Sequence, residues 1–253
     1  MGSLCAFLIA CGTSPDFTSE QADGPGPVPP RQDASIDASN RVDGNVHHDA
    51  SADALAVDAA AATRTSCSSV AHVGDSLTAY TEPSLTAAYQ RVGASVQINA
   101  YGGRAILQKL PADPMTGQQA AQSIRAGGFT GCWVVALGTN DTADIAAGAG
   151  YTRAHAIDQM MTAIDPSRTA SVMWVNTYTT RTSGYWSNAN MVLWNQALVA
   201  SQSRWPNLRL YDWASVAATG AAPFTDGIHH TAAGFDVRNA AIAHALVRFF
   251  PAP

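Results

Sequence analysis

A serine, a histidine and an aspartate in this sequence have the residue types and local settings that nucleophilic catalysis needs. Ser76 lies in a Gly-Asp-Ser turn after an apolar run, and Asp226 and His229 are three positions apart in a loop near the C-terminus. A serine hydroxyl becomes a good nucleophile when an imidazole accepts its proton, and a carboxylate holds that imidazole in the required tautomer. The sequence therefore predicts Ser76 as a nucleophile, His229 as its base and Asp226 as the orienting acid.

Each of these segments alone also has an ordinary structural interpretation. Gly-Asp-Ser is a common strand-to-helix turn with a capping residue, and Asp226 or Thr231 could cap the last helix. His230 directly follows His229, so its side chain should point elsewhere, and we interpret it as a bystander. Three further histidines fall within predicted strands or helices and are interpreted as structural or surface groups: His72, His155 and His244.

Acyl transfer also needs hydrogen-bond donors directed at the carbonyl oxygen, where negative charge builds as the tetrahedral state forms. The candidate donors are the backbone amide of Ser76, the backbone amide of Gly103 and the side-chain amide of Asn140. Gly102 remains an alternative to Gly103, because either glycine lets the backbone approach a substrate closely, although a double glycine is also an ordinary turn. Asn140 by itself is more often a helix cap than an oxyanion donor.

The elements that would position these residues alternate along residues 66–253. Apolar runs predict five strands, at residues 69–73, 95–100, 132–137, 170–176 and 208–211. Segments of helical period predict helices at residues 83–92, 117–126, 150–164, 188–203 and 232–249. This alternation predicts the α/β class, as a three-layer α/β/α sandwich around a five-stranded parallel sheet. In such sheets ligands bind at the carboxyl ends of the strands, which is where the candidate residues fall.

Taken together and in this order, the segments resemble the GDSL/SGNH hydrolase family. Ser76, Gly103, Asn140 and His229 match that family's four named positions, and Gly-Thr-Asn-Asp and Asp-Gly-Ile-His are close to its typical motifs. The resemblance covers about residues 69–249. It implies a flavodoxin-like SGNH fold and ester hydrolysis or acyl transfer through an acyl-enzyme, without a metal or cofactor. His230 departs from the pattern, since relatives often carry proline or leucine there.

A second, looser likeness bears on the substrate. Residues 194–213, with the segment Asp-Gly-Ile-His-His-Thr, are similar to the SGNH domains attached to membrane O-acyltransferases that modify bacterial surface glycans. This likeness implies an O-acetylated carbohydrate as a substrate. Trp213 within that segment has the ordinary alternative of filling the core under the active-site loop. Four residues near the expected cleft are candidate substrate contacts: Tyr80, Arg104, Tyr178 and Trp186.

Three functions remain open on the sequence alone. The first is a serine esterase for small acyl groups, favoured because the compact domain has no evident lid insertion. The second is an O-acyltransferase that uses the same triad on surface glycans, and the third is a catalytically silent glycan-binding module. Residues 66–253 carry a net charge of +1 with a single lysine, Lys109. They therefore offer no basic stripe for nucleic acid, and we expect a monomer that binds a small-molecule or carbohydrate ester.

The N-terminal part of the chain predicts export. Residues 1–11 end in Leu-Ile-Ala-Cys, which resembles a lipoprotein signal with Cys11 as the lipidated residue and membrane anchor. Because no Lys or Arg precedes the apolar run, a misassigned start or a chance apolar terminus remain alternatives. Residues 12–65 are rich in Ala, Asp and Pro, with a net charge of −6, and predict a disordered linker before a domain at 66–253. We therefore expect a cell-envelope lipoprotein or a secreted protein.

The cysteines add one structural hypothesis. Cys67 and Cys132 each stand at the start of an apolar run that leads to a motif. If these runs are adjacent parallel strands in register, the two thiols lie close enough for a disulfide in an oxidising compartment.

Overall fold

The computed structural model describes residues 63–253, which fold around a five-stranded parallel sheet in the order β2-β1-β3-β4-β5. The strands are β1 Ser69–Gly74, β2 Ser95–Ala100, β3 Cys132–Ala136, β4 Val172–Val175 and β5 Leu208–Tyr211. The helices are α1 Ser76–Ala79, α2 Glu82–Arg91, α3 Gly117–Ala126, α4 Thr139–Ala146, α5 Arg153–Ile164, α6 Asn188–Ser201, α7 Trp213–Ala218 and α8 Ala232–Phe249. The predicted three-layer α/β/α class is confirmed.

The sheet is buried on both faces, which explains why its strands read as continuous apolar runs. Along β3, Trp133 and Val135 pack into one core cluster, whereas Val134 and Ala136 pack into the other. This alternation follows from the pleat, since successive side chains of a strand point to opposite faces. Buried residues of α3, α5 and α6 complete the first cluster, and those of α2, α7 and α8 complete the second.

The five predicted strands and five predicted helices all occur, but three short helices were not predicted. Each of them, α1, α4 and α7, begins within three residues of a strand's end and is four to eight residues long. Segments this short show too few turns for an apolar period to be recognised. These short helices matter for function, because α1 carries Ser76 and α4 carries Asn140.

Cys67 and Cys132 form a disulfide, with their Cα atoms 5.7 Å apart. The hypothesis depended on adjacent parallel strands, and β1 and β3 are paired with Val70 opposite Cys132. The folded contacts begin slightly before the predicted boundary at residue 66, because Thr65 forms a β-bridge with Pro251 and its hydroxyl donates to the Phe250 carbonyl.

Two predictions about the N-terminus, the Cys11 anchor and nearly all of the linker at 12–65, lie outside the described residues. Within residues 63–253, no helix is both long enough and apolar enough to cross a bilayer.

Candidate active site

The structure brings Ser76, His229 and Asp226 together in one hydrogen-bonded series at the carboxyl end of the sheet. Ser76 Oγ lies 2.9 Å from His229 Nε2, although the two residues are 153 positions apart in the chain. On the other side of the ring, His229 Nδ1 lies 2.8 Å from Asp226 Oδ2. With Nδ1 carrying the hydrogen and donating to the carboxylate, Nε2 is left as an acceptor for the serine proton.

Ser76 is positioned by the first turn of α1. The carboxylate of Asp75 caps this helix by accepting a hydrogen bond from the Leu77 amide at 3.0 Å. Both interpretations of the Gly-Asp-Ser segment are therefore realised, because the capped strand-to-helix turn is also the turn that places Ser76 at the site. Gly74 has no room for a side chain, since a Cβ there would overlap Thr78. The turn can approach α1 this closely because residue 74 is glycine.

The loop before α8 holds Asp226 and His229 in place through its own backbone. Asp226 Oδ1 accepts hydrogen bonds from the Ile228 amide at 2.8 Å and the His229 amide at 2.7 Å. Gly227 between them has φ +86°, a conformation that favours glycine. Partial burial on its own would raise the pKa of Asp226, but hydrogen bonds from the His229 side chain, the His229 amide and the Ile228 amide together lower it below its usual range. Asp226 therefore stays ionised.

The predicted oxyanion donors lie on the two loops that flank Ser76. Gly103 follows β2 and Asn140 lies in the first turn of α4, after β3, and both strands pair with β1. The side-chain amide of Asn140 donates to the Arg104 carbonyl at 3.1 Å, so the two loops are in direct contact. Within residues 63–253, the backbone amides of Ser76 and Gly103 have no hydrogen-bond acceptor. Two backbone donors are therefore free for a ligand.

Gly103 is constrained to be glycine by its backbone conformation, whereas Gly102 is not. Gly103 has φ +79°, and a Cβ there would lie 2.9 Å from Leu110 Cδ1. A Cβ at Gly102 would lie 3.3 Å from the hydroxyl oxygen of Tyr80. The left-handed backbone is thus specific to Gly103, whereas a small shift of the Tyr80 side chain could accommodate a Cβ at Gly102.

Buried polar groups fix the loop that carries Gly103. Arg104 is 2% exposed and makes a two-pronged ion pair with Asp113, while its remaining nitrogen donates to the Asn99 carbonyl and side chain. Arg104 was a candidate substrate contact, and that prediction is wrong because its guanidinium points into the protein. Asp141, the residue after Asn140, accepts a hydrogen bond from the Ile106 amide at 2.8 Å. Burial raises the pKa of Asp141 to about 8.

A second buried network lies beneath the nucleophile. The His72 ring is fully buried, with its two nitrogens 2.9 Å from the Tyr89 hydroxyl and 3.1 Å from the Thr78 hydroxyl. Burial, together with the nearby positive charge of Arg238, lowers the pKa of His72 to about 3. Arg238 is itself buried and donates to the Leu77 carbonyl at 3.2 Å. His72 is therefore a neutral structural residue, as its place in a strand predicts.

The remaining predicted neighbours divide into buried and exposed groups. His230 is 3% exposed, packs against the rings of Trp213, Phe224 and Phe235, and directs Nδ1 at the Ala222 carbonyl rather than at Ser76. Trp213 is buried, in agreement with its interpretation as a core residue. Tyr178 also packs against Phe224. Tyr80 differs from all of these, because 64% of its surface is exposed and its ring centroid lies 5.6 Å from that of His229.

Sequence reasoning missed the supporting residues Asp75, Asp113, Asp141 and Arg238. Asp75 and Asp141 each adjoin a predicted site residue, so an acidic residue next to a candidate catalytic or oxyanion residue was an available signal. Neither Asp113 nor Arg238 adjoins a predicted catalytic or oxyanion residue: Asp113 lies nine positions from its partner Arg104, and Arg238 lies 161 positions from Leu77.

Comparisons with known proteins find similar structures but no similar curated sequence. No protein-family model matches this chain, and no curated protein sequence matches it either. Among solved structures, a putative arylesterase from Agrobacterium tumefaciens superposes with a TM-score of 0.58 at 17% identity, over 72% of this chain and 99% of the other. Est24, a carbohydrate acetylesterase from Sinorhizobium meliloti, gives a TM-score of 0.54 at 18% identity over 72% and 99%.

A third similar structure is the C-terminal catalytic domain of the peptidoglycan O-acetyltransferase OatA from Streptococcus pneumoniae, solved with a methylsulfonyl adduct. It has a TM-score of 0.56 and 17% identity, over 72% of this chain and 94% of the domain. At these identities the comparisons establish the fold. The described chain has the SGNH hydrolase fold, and its predicted resemblance to the GDSL/SGNH hydrolases is confirmed at that level.

Proposed function

We propose that this protein is a serine esterase of the SGNH type that hydrolyses carboxylic esters of small acyl groups. The observation that carries the proposal is the continuous series from Ser76 Oγ to His229 at 2.9 Å and from His229 to Asp226 at 2.8 Å. A serine hydroxyl, an imidazole and an ionised carboxylate in this order are the minimum set for nucleophilic acyl transfer. The set needs no metal or cofactor, because Ser76 itself supplies the nucleophile.

In the proposed reaction, Ser76 Oγ attacks the ester carbonyl while His229 Nε2 takes the hydroxyl proton. Asp226 stabilises the imidazolium and keeps the ring oriented. When the tetrahedral intermediate collapses, the bond to the alcohol oxygen breaks and His229 returns the proton to that oxygen. Water then attacks the acyl-serine, gives one proton to His229, and the carboxylic acid leaves as Ser76 recovers its hydrogen.

The negative charge on the carbonyl oxygen would be stabilised by the amides of Ser76 and Gly103 and the side chain of Asn140. This role of the two backbone amides is supported because neither has a hydrogen-bond acceptor within residues 63–253. Asn140 donates one side-chain N–H to the Arg104 carbonyl and has a second N–H that can donate to the substrate. Fixed donors stabilise the transition state more than mobile water does, because they need no reorganisation as negative charge develops on the carbonyl oxygen.

For the substrate we propose O-acetyl groups on carbohydrate. The carbohydrate acetylesterase from Sinorhizobium meliloti and the peptidoglycan O-acetyltransferase from Streptococcus pneumoniae share the fold and support this choice. The second of these neighbours also supports an alternative, in which a sugar hydroxyl replaces water in the final step and the protein is an O-acyltransferase.

The test is acetate release from acetylated sugars and simple acetate esters by the full chain and by its Ser76→Ala variant. We expect the variant to lose at least about 10³-fold in kcat/KM. Equal rates of acetate release by the full chain and the variant would contradict both the esterase and the transferase proposals. The glycan-binding module would then be the remaining function. Adding a non-acetylated sugar acceptor separates the first two, because a transferase yields acetylated acceptor faster than free acetate.

Export to the cell envelope through a lipidated Cys11 is also a proposal. It is supported by the Cys67–Cys132 disulfide, since disulfides persist mainly in oxidising compartments. Mass analysis of the mature N-terminus tests it, and an N-terminal peptide that begins before Cys11 would contradict lipidation.

A further inference from the structure

A groove of about 480 Å³ lies between the N-terminal ends of α2 and α8, beside the proposed base. Its apolar lining includes Tyr80, Pro83 and Phe235, and its hydroxyl groups include those of Thr225 and Thr231. The groove adjoins His229 on two sides, because Tyr80 lies against the His229 ring and the Thr225 hydroxyl donates to the His229 carbonyl at 3.0 Å. We call it the Tyr80 groove.

The position of the Tyr80 groove relative to the reacting atoms identifies which part of an ester it would hold. The carbonyl oxygen must point towards Gly103 and Asn140, on the loops after β2 and β3. The leaving alcohol oxygen must instead lie near His229, because that ring returns the proton to it. A group bonded to that oxygen therefore extends along the histidine side, where the groove begins.

Tyr80 has a surface that the fold itself does not use. The residue is 64% exposed, and its hydroxyl end approaches Gly102, where a Cβ would lie 3.3 Å from the hydroxyl oxygen. An exposed aromatic ring that borders a groove is suited to stacking against the C–H face of a sugar ring. The hydroxyls of Thr225 and Thr231 would then face the sugar's polar edge.

The charge of the groove limits which sugars it would bind. Asp236 is exposed and supplies the formal negative charge of the groove, and no Lys or Arg is among the residues that line it. Arg181, which donates to the Asp226 carbonyl at 3.2 Å, is not part of this lining. An anionic sugar would meet Asp236 without a compensating cation, whereas a neutral or protonated amino sugar would not be repelled.

We propose that the Tyr80 groove binds the alcohol part of the substrate, and that this part is a neutral or amino pyranose stacked on Tyr80. The assignment to the alcohol part rests on the proposed esterase function, since that function fixes where the leaving oxygen lies. Tyr80 and Asp236 are then residues that determine specificity, and uronic acid esters are poor ligands.

The test measures binding in the full chain carrying Ser76→Ala, so that an acetylated sugar is not consumed. The ligands are 3-O-acetylated methyl glycosides of glucose, glucosamine and glucuronic acid at pH 7, followed by NMR titration. We expect Tyr80→Ala to weaken glucoside binding about tenfold. Asp236→Asn should reduce the preference for the glucosaminide over the glucuronide about two- to fivefold. Tyr185→Ala is the matched control, because Tyr185 is 54% exposed and is not among the residues that line the groove.

Three results would overturn the proposal: no binding of any glycoside, equal affinities in the Tyr80→Ala and Tyr185→Ala chains, or a preference for the glucuronide. Failure of the esterase proposal would be recognised separately. In that case the chain with Ser76 intact would release no acetate from these glycosides or from ethyl acetate, while the binding results still decide whether the groove holds a sugar.

Discussion

Removing the Cys67–Cys132 disulfide should lower the free energy of unfolding by about 4 kcal/mol. The bridge joins residues 65 positions apart, so it constrains a long loop in the unfolded chain. For a loop of that length, the chain-entropy relation gives about 15 cal/mol/K, which corresponds to about 4 kcal/mol at 25 °C. The folded sheet changes little, because β1 and β3 remain hydrogen-bonded along five residue pairs.

The assay is guanidinium unfolding of the full chain, followed by circular dichroism. Cys5→Ser and Cys11→Ser form the background, so that only Cys67 and Cys132 remain. The Cys67→Ala/Cys132→Ala variant is compared with this background with and without reductant. We expect the reduced background and the double variant to agree within about 1 kcal/mol, since both lack the same constraint. A double variant as stable as the oxidised background would refute the reasoning.

Three further predictions concern single residues of the site and its support. Asp226→Asn should lower kcat about 10²- to 10⁴-fold with little change in KM, because the amide does not stabilise the His229 imidazolium; steady-state kinetics measure this. Asp141→Asn should gain stability relative to the parent by about 1.4 kcal/mol per pH unit between about pH 4 and 8, measured by unfolding across that range. Gly138→Ala should cost at least about 2 kcal/mol in the same unfolding assay, because φ is +131° and the new Cβ would overlap the Trp194 indole.

The sign of the Asp141 prediction follows from where the carboxyl keeps its proton. Burial raises the pKa of Asp141 to about 8 in the folded chain, whereas in the unfolded chain the carboxyl ionises near pH 4. Between these values the folded chain binds more protons, so its stability falls as pH rises. Asparagine does not titrate, so a stability difference that stays constant with pH would contradict the buried, protonated carboxyl. Unchanged kcat in Asp226→Asn, or unchanged stability in Gly138→Ala, would likewise count against those two assignments.

The sequence predicted the sheet well because burial on both faces produces a simple signal. Each strand is an apolar run, as in Val-Met-Trp-Val of β4, and the intervening helices are long enough to show their period. Ser76, Gly103 and Asn140 could be assigned to one edge of the sheet because each comes shortly after a strand, and parallel strands bring their carboxyl ends together. Asp226 and His229 lie beyond α7, in the loop before α8, and their Asp-x-x-His spacing was the signal. The pairing of Ser76 with His229 across 153 positions then follows from the fold.

What sequence could not predict depends on side-chain direction and distant partners. Arg104 lies in a loop near the site, and only the position of Asp113 and Asn99 shows that its guanidinium turns inward. Tyr80 and Arg104 were candidate substrate contacts on the same grounds, yet only the Tyr80 ring lies against His229 and lines a groove. The position of a loop in the sequence predicts the edge of the sheet at which it lies. Which of its side chains face solvent depends on the buried hydrogen-bond partners around the loop.

The most direct measurement of the central claim is covalent labelling by a fluorophosphonate, read as the mass of the modified peptide. If His229 and Asp226 activate Ser76, the full chain gains one phosphonyl group, located on Ser76, and labelling falls sharply in His229→Ala although the hydroxyl is still present. An unlabelled chain, or a label that persists at the same rate in His229→Ala, would contradict the activation of Ser76 by this histidine.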